Sequence, residues 1–102
     1  MPVESYRQAV RLNPDYWEAH LDLGGLLGLD EKVPEAKDEF EAVIRLKPEV
    51  AMAHLNLGVA LMKQGQLSGA VQGFEETLRL EPENKFAPDY LRQVQAMKSR
   101  TP

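Results

Sequence analysis

The 102-residue sequence contains no cysteine. Disulfides, thiolate metal sites and cysteine nucleophiles are therefore all excluded. Positive charge is also not in excess, since 12 Lys and Arg stand against 16 Asp and Glu, for a net charge of −4. Because nucleic-acid binding depends on cationic side chains that displace counterions from phosphates, we expect no nucleic-acid partner.

Long apolar runs are missing too. The longest uncharged stretch ends at Met62, includes His54 and Asn56, and is too short to span a bilayer. Residues 1–12 mix acidic and basic side chains, so they do not form the apolar region of a signal peptide. We expect no membrane insertion and no targeting segment. The compartment stays open, with the cytoplasm slightly favoured.

What the sequence does contain is a repeat. Pro14, Pro48 and Pro82 are spaced by 34 residues. The stretch Ala19–Gly24 returns 34 residues later as Ala53–Gly58, and Ala36 and Phe40 return at the same interval as Ala70 and Phe74. Self-similarity at one fixed period is the signature of a repeat array.

Within each unit the pattern is helical. Leu23, Leu26 and Leu27 follow the i, i+3, i+4 spacing of an amphipathic helix. A glycine in a helix costs about 1 kcal/mol, so Gly24 and Gly58 need a compensating contact. We expect close approach of the partner helix at these glycines, with Ala36 and Ala70 as the small facing residues. The repeated prolines separate the hairpins, because proline cannot continue a helix.

These residues carry a resemblance to the tetratricopeptide repeat (TPR), whose pattern is W-x2-L-G-x2-Y…A-x3-F…P. His replaces Trp and Leu replaces Tyr in both complete units, and these are exchanges of one packing residue for another. The matching residues are His20, Leu23, Gly24, Leu27, Ala36, Phe40 and Pro48 in the first unit, and His54, Leu57, Gly58, Leu61, Ala70, Phe74 and Pro82 in the second.

The resemblance implies an all-α fold, a right-handed superhelix of antiparallel helix hairpins (a TPR α-solenoid) with about six helices. The predicted helices are Val3–Leu12, Tyr16–Leu29, Pro34–Leu46, Val50–Lys63, Leu67–Leu80 and Lys85–Ser99. One domain is expected over residues 1–102. It consists of the second helix of a truncated repeat (1–14), complete repeats at 15–48 and 49–82, and a C-terminal capping helix (83–99).

The two ends of the array differ. Arg92 and Gln95 occupy positions of the last helix that would otherwise receive a following helix, and polar residues there are typical of a solvated cap. At the other end Tyr6, Ala9 and Val10 form an apolar stripe with no expected partner in the chain. This stripe indicates either a longer array or a homo-oligomer formed through the N-terminal helix.

No residue pattern indicates catalysis, a metal site or a cofactor site. His20 and His54 hold equivalent places in successive repeats, where the family has Trp, and we interpret both as packing residues. The glycine-rich stretch Gly24–Gly28 follows no predicted strand and lacks the Lys and Ser/Thr of a phosphate-binding loop. We therefore predict that the chain is not an enzyme.

The resemblance also implies a peptide-binding groove, because the first helices of successive repeats line the concave face in this family. Methionine suits an adaptable binding surface of this kind. A wider set obtained by matching positions adds Glu18, Asp22, Leu29, Lys63 and Gln93. The candidate groove residues are Leu21, Gly25, Met52, Leu55, Asn56, Val59, Met62, Phe86 and Tyr90.

Some members of the family clamp a C-terminal carboxylate with Lys, Asn and Arg side chains. Here Leu21 and Gly25 stand where the first Lys and Asn belong, and Phe86 and Tyr90 stand where the last Lys and Arg belong. Asn56 alone matches, so a carboxylate clamp is not expected.

The leading hypothesis is a non-catalytic scaffold that binds a peptide or helix of a protein partner in an apolar concave groove. Two alternatives stay open: an assembly protein that self-associates through its repeats, and an accessory TPR segment of a larger enzyme.

Overall fold

The computed structural model describes residues 3–100, so the ends of the predicted domain, residues 1–2 and 101–102, lie outside the described residues. Residues 3–100 contain helices and no strand, which confirms the predicted all-α class. The bounds agree with the sequence prediction to within two residues. The helices are α1 (Val3–Leu12), α2 (Trp17–Leu29), α3 (Val33–Leu46), α4 (Ala51–Lys63), α5 (Leu67–Leu80) and α6 (Ala87–Ser99).

The largest difference in bounds is at α6, which begins at Ala87 rather than at Lys85. The side-chain oxygen of Asn84 accepts hydrogen bonds from the backbone N–H groups of Phe86 (3.0 Å) and Ala87 (2.9 Å). A side chain that satisfies these free donors holds the chain outside the helix until Ala87.

The two hairpin turns share one backbone conformation. After α2 the N–H of Lys32 donates to the carbonyl of Leu27 (2.9 Å), and after α4 the N–H of Gln66 donates to Leu61 (2.9 Å). These bonds end each helix in a Schellman motif, which needs a left-handed residue just beyond the helix. That residue is Gly65 (φ 76°) in the second hairpin and Glu31 (φ 60°) in the first.

The repeated glycines do mark the close approach of two helices, but the facing residue is not the one predicted. A Cβ atom on Gly24 would lie 2.6 Å from the Phe40 ring, and one on Gly58 would lie 2.7 Å from the Phe74 ring. The prediction that Ala36 and Ala70 face the glycines was wrong, because the aromatic ring of the second helix covers each glycine. Both alanines are nevertheless fully buried.

The second hairpin contains a further close approach that the repeat pattern did not indicate. A Cβ atom on Gly73 would lie 2.9 Å from the carbonyl oxygen of His54 and 3.1 Å from the Cα of Gly58. The backbones of α4 and α5 therefore meet at Gly73. The equivalent residue in the first hairpin is Glu39, which plays a different part described below.

Two clusters make up the core. The first contains Leu23, Leu27, Ala36 and Phe40, from α2 and α3. The second is built around Phe74 and Val94 and continues into α6, where the Tyr90 ring stacks on Phe74 with 5.2 Å between ring centroids. Arg92 and Gln95 of α6 are exposed, in keeping with a polar outer face.

The N-terminal helix is better covered than the sequence indicated. Val3, Tyr6 and Val10 pack against the first core cluster, so the prediction that Tyr6 and Val10 lack a partner was wrong. The α1 helix docks on α2 along this side, and Arg7 of α1 also reaches Glu35 of α3 at 3.4 Å. Leu12, 81% exposed, is the large apolar side chain of α1 that stays uncovered.

The helices form two layers that curve. Among residues 3–100, the backbone of α4 approaches those of both α2 and α6, whereas the backbones of α1, α3 and α5 do not approach one another. The first helices of the hairpins are therefore closer together than the second helices, and α2, α4 and α6 form the inner, concave side. The described molecule measures 45 × 26 × 20 Å.

Candidate functional site

The concave side carries three connected hollows. The first hollow lies between α1, α2 and α4 and includes Leu21, Gly25, Met52 and Asn56. The second hollow lies between α4, the loop before α6 and α6, and includes Leu55, Phe86 and Tyr90 together with Met52 and Asn56. Because Met52 and Asn56 line both, the two hollows form one continuous groove.

The third hollow is a cleft between α2, α3 and α4. Gly25, Asn56 and Val59 line it, and Lys63 stands at the end of α4 beside it. Asn56 therefore touches all three hollows and lies at the centre of the concave side.

Eight of the nine predicted groove residues line at least one hollow. Met62 does not. It is buried in the second core cluster with Phe74 and Val94, because its position on α4 directs it toward α5 and α6. Leu55 is also buried in that cluster, although it borders the second hollow.

Several hollow-lining residues were not among the predicted groove residues, and Tyr6, Glu81 and Asn84 are three of them. Tyr6 borders the first hollow, and Glu81 and Asn84 border the second. Tyr6 was assigned to an apolar stripe with no partner in the chain, and the other two lie in a loop, for which a helical pattern predicts no orientation. The signal that could have found Asn84 is its side chain, a favourable cap for the helix that follows.

The groove exposes large apolar side chains. Leu29 is 84% exposed, Met52 58% and Phe86 64%, and all three line a hollow. The two other exposed large apolar residues within 3–100, Leu12 and Tyr16, line none of these hollows. Exposed apolar side chains gathered on one concave surface mark a contact site.

The polar side chains that line the three hollows are few, and most have no partner. Within residues 3–100, the side chains of Asp22 in the first hollow and Lys63 in the third form no ion pair or hydrogen bond. Glu81 of the second hollow accepts a hydrogen bond from the Asn84 amide at 3.0 Å. The Asn56 amide, which lines all three hollows, has no hydrogen-bond partner in this part of the chain, so its donor and acceptor are both unused.

His20 has a structural role. Its Nε2 lies 2.7 Å from the Pro14 carbonyl oxygen and its Nδ1 lies 2.7 Å from the Glu39 carboxylate. Carbonyl and ionised carboxylate oxygens only accept hydrogen bonds, so the arrangement is fully satisfied when both ring nitrogens donate. His20 thereby joins α2 to α3 and to the loop after α1.

His54 repeats only half of this arrangement. Its Nε2 lies 2.7 Å from the Pro48 carbonyl oxygen, but Gly73 stands where Glu39 stands in the first hairpin. Each imidazole thus contacts the carbonyl oxygen of a repeat proline, and within residues 3–100 only His20 has a hydrogen-bonded carboxylate partner.

The perturbed titrating groups lie away from the groove. A side-chain hydrogen bond from Arg79 lowers the pKa of the Glu76 carboxyl, and the same contact raises the pKa of Arg79. Neither residue lines a hollow.

Residues 3–100 contain neither a membrane span nor a cluster of metal ligands. None of their helices combines the length and apolar character that crossing a bilayer requires. No three His, Asp or Glu side chains of this part of the chain come together in a group that could hold a metal ion.

Two helical hairpins flanked by single helices, stacked with their first helices inside, define an α-solenoid of the helical-repeat class. Comparison with known families identifies which helical-repeat family this is. A family model for the tetratricopeptide repeat matches residues 30–85, which is more than half of the chain. The chain belongs to the tetratricopeptide repeat family.

Solved structures of the same fold resemble the chain closely. The first TPR of Spaghetti (RPAP3), bound to the HSP90 peptide SRMEEVD, has a TM-score of 0.92 at 20% identity, and the match covers 95% of this chain and 77% of that one. The second TPR domain of human RPAP3, in complex with the HSP70 peptide SGPTIEEVD, has a TM-score of 0.87 at 26% identity, covering 91% and 78%.

A third similar structure is MamA from Desulfovibrio magneticus, with a TM-score of 0.89 at 24% identity. The match covers 95% of this chain and 55% of that chain, so this chain spans about half the length of that MamA chain. No curated protein sequence matches the chain significantly.

Proposed function

We propose that this chain is a non-catalytic interaction module that binds a peptide segment of a partner protein in the groove formed by α2, α4 and α6. The observation that carries the proposal is the placement of exposed apolar side chains. Leu29, Met52 and Phe86 are more than half exposed and all line the hollows. An unpartnered apolar surface of this kind is stabilised when a ligand covers it.

The groove suits a peptide because it combines apolar walls with a central hydrogen-bonding group. Asn56 presents an amide donor and acceptor where the hollows meet, and a peptide backbone carries one donor and one acceptor at almost every residue. Two of the similar structures, described as TPR domains bound to peptides, support the same class of ligand for this chain.

The engagement of the two imidazoles supports the non-catalytic part of the proposal. His20 is held between Glu39 and Pro14, and His54 is held on Pro48. A general base must have a nitrogen free to take a proton from a substrate, and His20 has none.

The test is selection from a random 12-residue peptide library displayed on phage, followed by fluorescence anisotropy on the recovered peptides. We expect peptides whose affinity falls at least about tenfold for Met52→Asp, since a charge in the middle of an apolar contact removes a central contact residue. The matched control is Gln72→Asp, at an exposed α5 residue that lines none of the three hollows. This variant should bind the same peptides with unchanged affinity. Recovery of no peptides, or of peptides that bind both variants equally, would show the proposal to be wrong.

A further inference from the structure

The charged side chains that line the three hollows are unevenly distributed. Asp22 lines the first hollow and Glu81 lines the second, and these two hollows form the continuous groove. The single cation among the lining residues is Lys63, and it lies in the third hollow. The continuous groove is therefore apolar with a carboxylate in each part and no cation.

Both carboxylates are available to a ligand. Asp22 has no ion-pair partner within residues 3–100, although other acids of the chain do, such as Glu35 with Arg7 and Asp30 with Lys32. Glu81 has only the neutral amide of Asn84. A cationic side chain that reached either carboxylate would gain an attraction that the free protein leaves unused.

The groove would also oppose an acidic ligand. Leu21, Gly25 and Phe86 line it and have no side-chain donor that could meet a carboxylate. An acidic segment laid in this groove would bring its carboxylates toward Asp22 and Glu81, and the side-chain donors lining these two hollows are neutral, the amides of Asn56 and Asn84 and the hydroxyls of Tyr6 and Tyr90. Like charges brought together at an interface weaken binding and so contribute specificity.

We infer that the groove selects a peptide that combines large apolar side chains with lysine or arginine and discriminates against acidic peptides. This inference rests on the proposed function, since it names the chemistry of the peptide that the same groove takes. The apolar side chains cover Leu29, Met52 and Phe86, and the cationic side chains meet Asp22 and Glu81.

The composition of the recovered 12-residue phage peptides tests the inference. We expect an excess of Lys and Arg over Asp and Glu, compared with the unselected library, in peptides whose binding depends on Met52. Replacing the basic residues of a recovered peptide by Glu should lower its affinity at least about tenfold at low ionic strength, and added salt should reduce the difference. A neutral or acidic composition would overturn the inference.

Charge exchange in the protein gives a second readout. Asp22→Lys should lower the affinity for the basic peptides by about tenfold, and phage selection on this variant should recover acidic peptides instead. The matched control is Asp38→Lys, at an exposed α3 residue outside the hollows, which changes the net charge as much as Asp22→Lys does. Its affinity for the same peptides should stay within about twofold of that of the unchanged protein. Equal effects of the two variants would show that the peptides respond to net charge, and the inference would be wrong.

The two proposals fail in different ways. If no peptide that depends on Met52 is recovered, the peptide-binding function itself is wrong. If such peptides are recovered but carry no excess of basic residues, the groove binds peptides and only the charge inference fails.

Discussion

At the scale of single residues, the four glycines of α2 and α4 fall into two groups. Gly24 and Gly58 each lie under a phenylalanine ring, and an added Cβ would be less than 3 Å from it. Gly25 and Gly28 have open space where a Cβ would stand. Glycine is therefore required at positions 24 and 58. At positions 25 and 28 it lowers helix stability and makes no internal contact that compensates.

This difference leads to a paired prediction. Gly24→Ala should lower the free energy of unfolding by about 1–3 kcal/mol, because the Phe40 ring is buried and cannot move away freely. Gly25→Ala and Gly28→Ala should instead raise it by up to about 1 kcal/mol, the difference in helix propensity. Urea denaturation measures all three. If Gly24→Ala stabilises the protein as much as Gly25→Ala does, the close approach is not a constraint.

The hairpin turns offer a second residue-scale prediction. Glu31 holds a left-handed backbone conformation that its counterpart Gly65 adopts without steric cost. Glu31→Gly should therefore raise the free energy of unfolding by about 1 kcal/mol, since the strain relieved is of order 1–2 kcal/mol and glycine adds some unfolded-state entropy. Gly65→Ala, which introduces the strain, should lower it. Thermal unfolding followed by circular dichroism distinguishes these outcomes, and a loss of stability in Glu31→Gly would contradict them.

A third prediction concerns pH. The hydrogen bond from Arg79 holds the pKa of Glu76 below its ordinary value of 4.5. A lowered pKa means that this contact stabilises the fold above the unfolded-state pKa, and that the stabilisation is lost as pH falls through the folded-state pKa. Arg79→Ala should therefore raise the pKa of Glu76, as measured by NMR titration of its side-chain carboxyl carbon. Arg79→Lys keeps the charge and should raise it less.

At the scale of elements, the hydrogen bonds of His20 connect α2, α3 and the loop after α1. Glu39→Ala would leave the Nδ1 of a buried imidazole without a partner, and we expect it to lower the free energy of unfolding by about 1–3 kcal/mol. Glu41→Ala, at an exposed acid of the same helix, is the matched control and should change it by less than about 0.5 kcal/mol. Chemical denaturation of both variants measures the difference. Equal effects would mean that the contact adds no stability.

Much of each element was predictable, because the period and the apolar spacing are local properties of the sequence. All six helices were predicted, and α1 and α5 have the predicted bounds. What faces each glycine was not predictable from spacing, since Ala36 and Phe40 both lie on the inner face of α3 and only packing decides which covers Gly24. The contact of Gly73 with His54 was also missed, because Glu39 at the equivalent position broke the repeat.

The candidate groove was likewise predictable in part. Residues on the face shared by α2, α4 and α6 could be identified by matching positions. Met62 was misplaced because it lies near the end of α4, where the concave face and the core face adjoin. Tyr6 was not placed on the groove, because the apolar stripe of α1 was interpreted as lacking a partner, whereas α1 docks on α2 and brings Tyr6 to the edge of the first hollow.

At the scale of the whole molecule, the helices differ in the number of neighbours that hold them. Within residues 3–100, α1 has no buried residue and packs chiefly on α2, whereas α4 contacts α2, α3, α5 and α6. In a repeat array, stability is a sum of local terms and nearest-neighbour interfaces. We therefore expect the amide hydrogens of α1 to exchange fastest and those of α4 slowest, in hydrogen-exchange mass spectrometry.

A variant tests the cause of this difference in amide exchange rate between α1 and α4. Tyr6→Glu places a charge against the first core cluster and should speed exchange in α1 while leaving exchange in α5 and α6 close to that of the unchanged protein. Protection of α1 equal to that of α4 would contradict this difference. Uniform loss of protection in Tyr6→Glu would show that the array unfolds as a single cooperative unit.

The antiparallel arrangement of the hairpins has a consequence for the electric field around the molecule. Each helix carries a dipole equivalent to about half an elementary charge at each end. Because successive helices reverse direction, three point one way and three the other among the six of residues 3–100, and their dipoles largely cancel. The backbone thus contributes little long-range field, and an approaching charged molecule is guided by the side chains on the concave side. One substitution there, such as Asp22→Lys, can therefore redirect the field over the groove without any change of the backbone.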